Sequence, residues 1–293
     1  LSATVVFDFP TPAQLANHLY GHLCGTADRV AGPMETLLRK AMDVDRARDG
    51  LDLLATAGRL TVPADRLDVA PVKLTTGFVT PALVCLPSAL AFTGVEEYTR
   101  FAAALEAMRD VTAVPLPGFA GDPLPADAHM LVDALADAVT RTTSGEFALV
   151  GRSVGAWLAR AVAGRLESRG VTPAAVVLIT PTDDARPVLA GVLDPAHQVH
   201  PVDDDRLVAM GRYLDLGARR PAHPTTAPVL HVGTADERPP AGLESVVVPG
   251  DHFTVLEQHS ASTALAISSW LTDFRGYGAG LSELRERDVH DLG

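Results

Sequence analysis

Cysteine is nearly missing from this chain. Its two cysteines, Cys24 and Cys85, have neither the close spacing of metal ligands nor that of a redox pair. That argues against a disulfide-stapled scaffold and a thiolate metal site. It makes a reducing cytoplasm the expected compartment, with both thiols free. Lysine is equally scarce: with only Lys40 and Lys73, almost all of the 24 basic residues are arginine. Together with abundant alanine and leucine, this is read as GC-rich codon usage, not as chemistry. The basic residues are outnumbered by 36 acidic ones, the formal net charge is -12, and no basic stripe or aromatic-basic interleaving occurs. Those absences argue against nucleic acid as a partner. Long apolar runs are missing too, since nothing approaches the ~20 residues of a membrane span. The N-terminus also lacks the charged-then-apolar order of a signal peptide, so neither membrane insertion nor export is expected. The chain opens on Leu1 inside what reads as ordinary folded sequence, and it is expected to be a piece of a longer polypeptide.

At 293 residues there is enough chain for one large domain plus an appendage. Leu15, Leu19 and Leu23 form an amphipathic pattern entered through Pro10-Thr11-Pro12, where proline suits a helix start. Residues 25–33 read as a linker. Met34 to Leu60 carries leucines at 37, 38, 51, 53, 54 and 60 around a charged break from Asp43 to Gly50, which predicts a short helical hairpin. So small a unit must pack on the main body or on another copy of itself. From Val72 onward, strands are predicted at 83–86, 110–116, 147–150, 175–180, 228–233 and 243–249. Helices are predicted at 96–109, 128–141, 156–170 and 260–274. This alternation predicts a mostly parallel, doubly wound α/β sheet, with strands buried on both faces. Between Pro181 and Ala227 the pattern lapses, which suits a lid inserted above the strand ends.

Gly151-Arg152-Ser153-Val154-Gly155 lies between a predicted strand and a predicted helix. Glycines two before and two after a serine permit the strained turn that lifts its hydroxyl over a sheet edge and aims a helix N-terminus at it. The motif points to acyl transfer through Ser153. A serine hydroxyl is a weak nucleophile until an imidazole takes its proton. His252, in Gly250-Asp251-His252-Phe253 after the last strand, has the chain order an α/β-hydrolase base requires. The other histidines lack that context; His231, inside a strand, reads as a core or edge residue. For an oxyanion hole the expected donors are the backbone amides of Val154, next to the nucleophile, and Ala89, in the loop after the first core strand. Pro87 in that loop has no amide hydrogen.

These stretches resemble the terminal thioesterase domain of a modular type I polyketide synthase, an α/β-hydrolase, preceded by the end of its acyl carrier protein. Ala3-Thr4-Val5-Val6-Phe7-Asp8-Phe9-Pro10-Thr11-Pro12 is similar to the close of a carrier domain, and Met34 to Leu60 to paired dimerisation helices. Leu83-Val84-Cys85 through Gly94, with Glu97-Tyr98-Thr99-Arg100-Phe101, resembles the first core strand and the helix after it. The elbow departs from the family at Arg152, where a histidine is usual. Val248-Pro249-Gly250-Asp251-His252-Phe253-Thr254 is the most specific likeness.

The resemblance implies a carrier end and linker at 1–24, dimerisation helices at 25–62, a core at 63–275 with a lid at about 181–227, and a flexible tail at 276–293. It implies release of a polyketide acyl chain from the phosphopantetheine of an upstream acyl carrier protein through a seryl acyl-enzyme. It also implies a homodimer and no cofactor or metal of the enzyme's own. The lid segment reads as short, so hydrolysis to a linear acid is expected ahead of macrolactonisation. A catalytically degenerate docking domain and a free editing thioesterase are the remaining readings. The family's triad acid falls, by a gapless count, on Thr180, which cannot carry charge. Asp236 is the first candidate to replace it, then Asp183 with its neighbour Asp184.

Overall fold

The computed structural model describes residues 31–182, 185–194, 202–219, 224–237 and 239–273. The expected carrier end at 1–24, the tail at 276–293, and both Asp183 and Asp184 lie outside the described residues.

The chain enters as two helices, α1 (Pro33–Asp43) and α2 (Ala47–Leu60). Proline at the first turn of α1 costs no hydrogen bond there. The carboxylate of Asp204, distant in sequence, accepts from the amides of Met34 and Glu35 at 3.2 and 3.3 Å. The break between the helices is shorter than its charge suggested, because Asp49 and Gly50 already belong to α2. The core follows as β1 (Val72–Thr75), β2 (Ala82–Leu86), a 3-10 turn at Val95–Tyr98 running into α3 (Thr99–Ala103), β3 (Val111–Ala113), α4 (Ala128–Thr142) and β4 (Phe147–Arg152). It continues as α5 (Gly155–Ser168), β5 (Ala175–Ile179), α6 (Ala185–Leu193), α7 (Asp204–Ala218), β6 (Val229–Gly233), β7 (Glu244–Val247) and a helix α8 over 260–273. The helix predicted across 96–109 is helical through Ala103, first 3-10 and then α, and stops short; Ala107 adopts a φ of 59°, which redirects the chain into β3. No helix among the described residues is long and apolar enough to cross a membrane.

The seven strands run in the order β1-β3-β2-β4-β5-β6-β7, parallel throughout except for β1 against β3. Sequence periodicity did not single out β1, a four-residue edge strand exposed at its start. Along the central strands successive side chains serve opposite cores. Leu149, Val176 and Leu178 pack with Leu131, Leu135, Leu158 and Val162 of α4 and α5. Val150, Val177 and Ile179 pack with Phe101, Ile267 and Leu271 of α3 and α8. Two buried faces explain the apolar runs. The expectation of two-sided burial fails at β7, an edge strand with Val247 62% exposed.

The stretch between β5 and β6 carries α6 and α7, and α7 is the seat of the N-terminal hairpin. A Cβ on Gly211 would stand 2.4 Å from the backbone carbon of Leu54, and one on Gly58 3.0 Å from the amide nitrogen of Arg212. Glycine on each helix thus lets α2 and α7 touch backbone to backbone. Arg59 closes the contact by an ion pair to the largely buried Asp215 at 2.7 Å. The hairpin is therefore part of the wall around the space above the sheet.

Candidate active site

β4 delivers Ser153 to the carboxyl edge of the sheet with a φ of 52°, and its amide donates to the carbonyl of Ile179 at 3.0 Å. A non-glycine residue in that region is strained, and the neighbours hold it there. A Cβ on Gly155 would lie 2.2 Å from the carbonyl oxygen of Pro87, so the start of α5 presses directly on the loop after β2. That contact joins the nucleophile turn to the loop expected to supply the second oxyanion donor.

His252 follows β7 in a tight turn, where the Asp251 carboxylate accepts from the amides of Phe253 and Thr254, each at 2.9 Å. Its Nε2 lies 3.0 Å from Ser153 Oγ. The geometry brings together the nucleophile and base named from the sequence, at the separation proton transfer needs. Val154 follows the serine, and Ala89 lies in the loop after β2 whose Pro87 carbonyl touches Gly155. Ala89 takes a φ of 58° and is buried, and neither amide has an acceptor among the described residues. The Ser88 amide is not available, because it donates to Glu97 Oε1 at 2.7 Å.

Beneath the elbow lies a buried polar network that sequence reading missed. Arg152 and Glu97 form an ion pair at 2.9 Å with side chains 3% and 2% exposed. Glu97 also accepts from Ser88 Oγ at 2.9 Å, and the other guanidinium nitrogen of Arg152 donates to the carbonyl of His252 at 2.6 Å. One arginine thereby ties the oxyanion loop, the nucleophile strand and the histidine turn together. Burial raises the Glu97 carboxyl above the ordinary range, against the lowering effect of Arg152 and the Ser88 bonds. A signal for the network existed: an arginine just past a strand predicted to be buried on both faces needs a carboxylate partner if it is buried too.

Burial, and after it the charge of Arg152, lowers the His252 pKa to about 4, with Asp251 opposing. The imidazole is then neutral and able to accept a proton down to that pH. If His252 is the base, kcat/KM falls as pH drops through about 4, well below the ~6.5 of an unperturbed histidine. A pH profile with its acidic midpoint near that ordinary value contradicts this.

Of the acids named from the sequence, Asp183 and Asp184 lie outside the described residues. Thr180 is fully buried at a φ of 40°, and its Oγ1 has no hydrogen-bond partner among the described residues. Asp236 is exposed and does not line the site, whereas the adjacent Glu237 does. His252 Nδ1 has no partner among the described residues. Ser153 and His252 open onto a cavity of about 1760 Å³. Trp157, Leu178, Val188, Leu214 and Phe253 supply apolar wall, and the exposed Arg48, Arg160 and Arg219 form a solvent-facing mouth. Helix α6 reaches the histidine turn at Gly191, where a Cβ would overlap the Phe253 ring at 2.0 Å.

A thioesterase domain family matches residues 81–191, which include Ser153 and end before His252. The chain is 34% identical to the spectinabilin polyketide synthase system protein NorC of Streptomyces orinoci, an alignment covering 92% of this chain and 14% of that protein. It is also 34% identical to erythronolide synthase EryA3 of Saccharopolyspora erythraea, covering 92% of this chain and 9% of that protein. The chain thus spans a small part of these relatives. Among solved structures, the NocB thioesterase domain from the nocardicin cluster superposes with a TM-score of 0.56 at 22% identity, covering 70% of this chain and 99% of that one. That likeness is one of fold.

Proposed function

Because the chain is a thioesterase domain of α/β-hydrolase fold, homologous over 92% of its length to modular polyketide synthases, we propose that it releases a polyketide acyl chain from a carrier-bound thioester by hydrolysis. The supporting observation is the 3.0 Å approach of His252 Nε2 to Ser153 Oγ at the wall of a cavity of about 1760 Å³.

Ser153 Oγ attacks the thioester carbonyl while its proton passes to His252 Nε2. The carbonyl oxygen becomes an oxyanion facing the amides of Val154 and Ala89. Collapse breaks the carbon–sulfur bond, and the departing phosphopantetheine thiolate takes the proton from Nε2. An acyl ester on Ser153 remains. Water then repeats the sequence, giving its proton to Nε2 as it attacks, and Ser153 recovers that proton as the linear acid leaves. No cofactor enters these steps. The exposed arginines at the mouth favour water access, which supports hydrolysis over ring closure by a hydroxyl of the same chain. Expected partners are an acyl carrier protein in the same polypeptide and a second copy of the chain. For the latter, Leu37 and Leu53 of the hairpin stand 47% and 39% exposed.

Incubation with the N-acetylcysteamine thioester of a hydroxylated long-chain acid tests the reading. The linear acid is expected as main product, with an acyl adduct on the Ser153 peptide by mass spectrometry. A lactone as main product replaces hydrolysis with macrolactonisation, and failure of a fluorophosphonate to label Ser153 favours a degenerate docking domain.

A further inference from the structure

Of five buried polar atoms without a partner among the described residues, Arg152 Nε and Trp157 Nε1 belong to the elbow and α5, and the other three, Thr180 Oγ1, His231 Nδ1 and Glu237 Oε2, belong to β6 and the chain ends beside it. A buried polar atom without a partner is costly, so a cluster of them marks a place where a partner arrives or function overrides stability. His231 and Glu237 line the cavity that holds Ser153 and His252. The turn after β6 is closed by the Glu237 amide donating to the Thr234 carbonyl at 3.1 Å. It leaves Asp236 in solvent and turns Glu237 inward.

We propose that Glu237 is the positioning carboxylate for His252, occupying from the β6 turn the role that Thr180 cannot fill. This rests on the reading of Ser153 and His252 as nucleophile and base. A Cβ built on Gly233 would stand 2.7 Å from His231 Cε1, 3.1 Å from Glu237 Oε2 and 3.4 Å from His231 Nδ1, which puts the carboxylate beside the His231 ring at the end of β6. At that end the Gly233 carbonyl accepts from the amide of Val248 at 2.9 Å, four residues before His252. Among the described residues His252 Nδ1 has no acceptor and Glu237 Oε2 no donor, and both residues line one cavity. Catalytic hydrogen bonds that are open in the empty enzyme commonly close around substrate. The carboxylate accepts from Nδ1–H, fixes the tautomer that leaves Nε2 free, and stabilises the imidazolium formed when Ser153 gives up its proton. It takes no proton itself. Burial raises the Glu237 carboxyl, against the lowering effect of its bond within the Thr234 turn.

The test compares wild type with Glu237→Gln, Glu237→Asp, Asp236→Asn and the double variant Thr180→Asp/Glu237→Gln. For each, kcat and KM are measured on a short-chain N-acetylcysteamine thioester, together with thermal melting and fluorophosphonate labelling. Glu237→Gln is expected to lower kcat by about 10²- to 10⁴-fold with KM little changed and melting not lowered. Glu237→Asp keeps a charge and retains part of the activity. Thr180→Asp in the Glu237→Gln background returns most of the loss, since aspartate tolerates the left-handed backbone at 180 better than threonine does. A wild-type kcat in Glu237→Gln overturns the proposal. So does a larger loss in Asp236→Asn than in Glu237→Gln, or a loss that Thr180→Asp does not relieve. Absence of labelling at Ser153 in the wild type refutes the nucleophile itself, a result distinct from any of these.

Discussion

Ser153→Ala is expected to abolish acyl-enzyme formation and to lower kcat for thioester cleavage by at least about 10⁴-fold, since nucleophile removal in serine hydrolases costs up to ~10⁶. The loss is confined to chemistry. The substrate still enters the cavity, so KM changes little, and the amides of Val154 and Ala89 still face the carbonyl. Residual turnover then measures what those donors and positioning achieve alone, ~10³ to 10⁴ over water in related machinery. Stability is expected to hold, because alanine and serine pay similar strain at a φ of 52° and the backbone bond from residue 153 to Ile179 is untouched. Intact-protein mass spectrometry after thioester exposure checks the adduct, and progress curves check the rate. A variant that keeps more than a tenth of wild-type kcat with an unchanged melting point contradicts covalent catalysis at this serine.

Ser153 and His252 were legible because the chemistry dictates local sequence around each. A strained turn requires small neighbours, and a base that must meet it from another strand requires a loop at the same sheet edge. The α/β alternation was legible for a similar reason: strands covered on both faces cannot alternate in polarity. What escaped depends on contacts distant in sequence. Glu97 reads as one of two adjacent acids, and only the folded chain puts it against Arg152. The turn at Gly233 to Glu237 contains two acidic residues, and no periodicity decides which faces the cavity. Asp236 was preferred by its place after the strand, but the turn's internal hydrogen bond sends the next side chain inward. β1 was too short and too polar at its start to stand out, and the helix read across 96–109 stops at Ala103, ahead of a left-handed Ala107 that composition does not mark.

Arg152→Met is expected to cost about 3–5 kcal/mol of folding stability, the usual result of removing one partner from a buried ion pair. Glu97 then remains buried with only the Ser88 bonds to satisfy it. The loss is present at neutral pH and shrinks toward acid, where the stranded carboxyl takes up a proton whose binding burial already favours. Pairing the change with Glu97→Leu removes the stranded charge and is expected to return much of the stability, because buried ion pairs and apolar replacements are often near equal. Activity is not expected to return with it. The double variant lacks both the clamp on Ser88 and the 2.6 Å bond to the His252 carbonyl, and slippage on the order of 1 Å at the reacting atoms costs about 10²-fold. The pH profile separates this from simple unfolding. Arg152 depresses the His252 pKa, so losing its charge moves the acidic midpoint of kcat/KM upward, toward the ordinary histidine value. A double variant with wild-type kcat and an unmoved midpoint would make the network a packing device alone. Recovered melting with a raised midpoint and low kcat makes Arg152 the residue through which the elbow holds its own base and oxyanion loop in register.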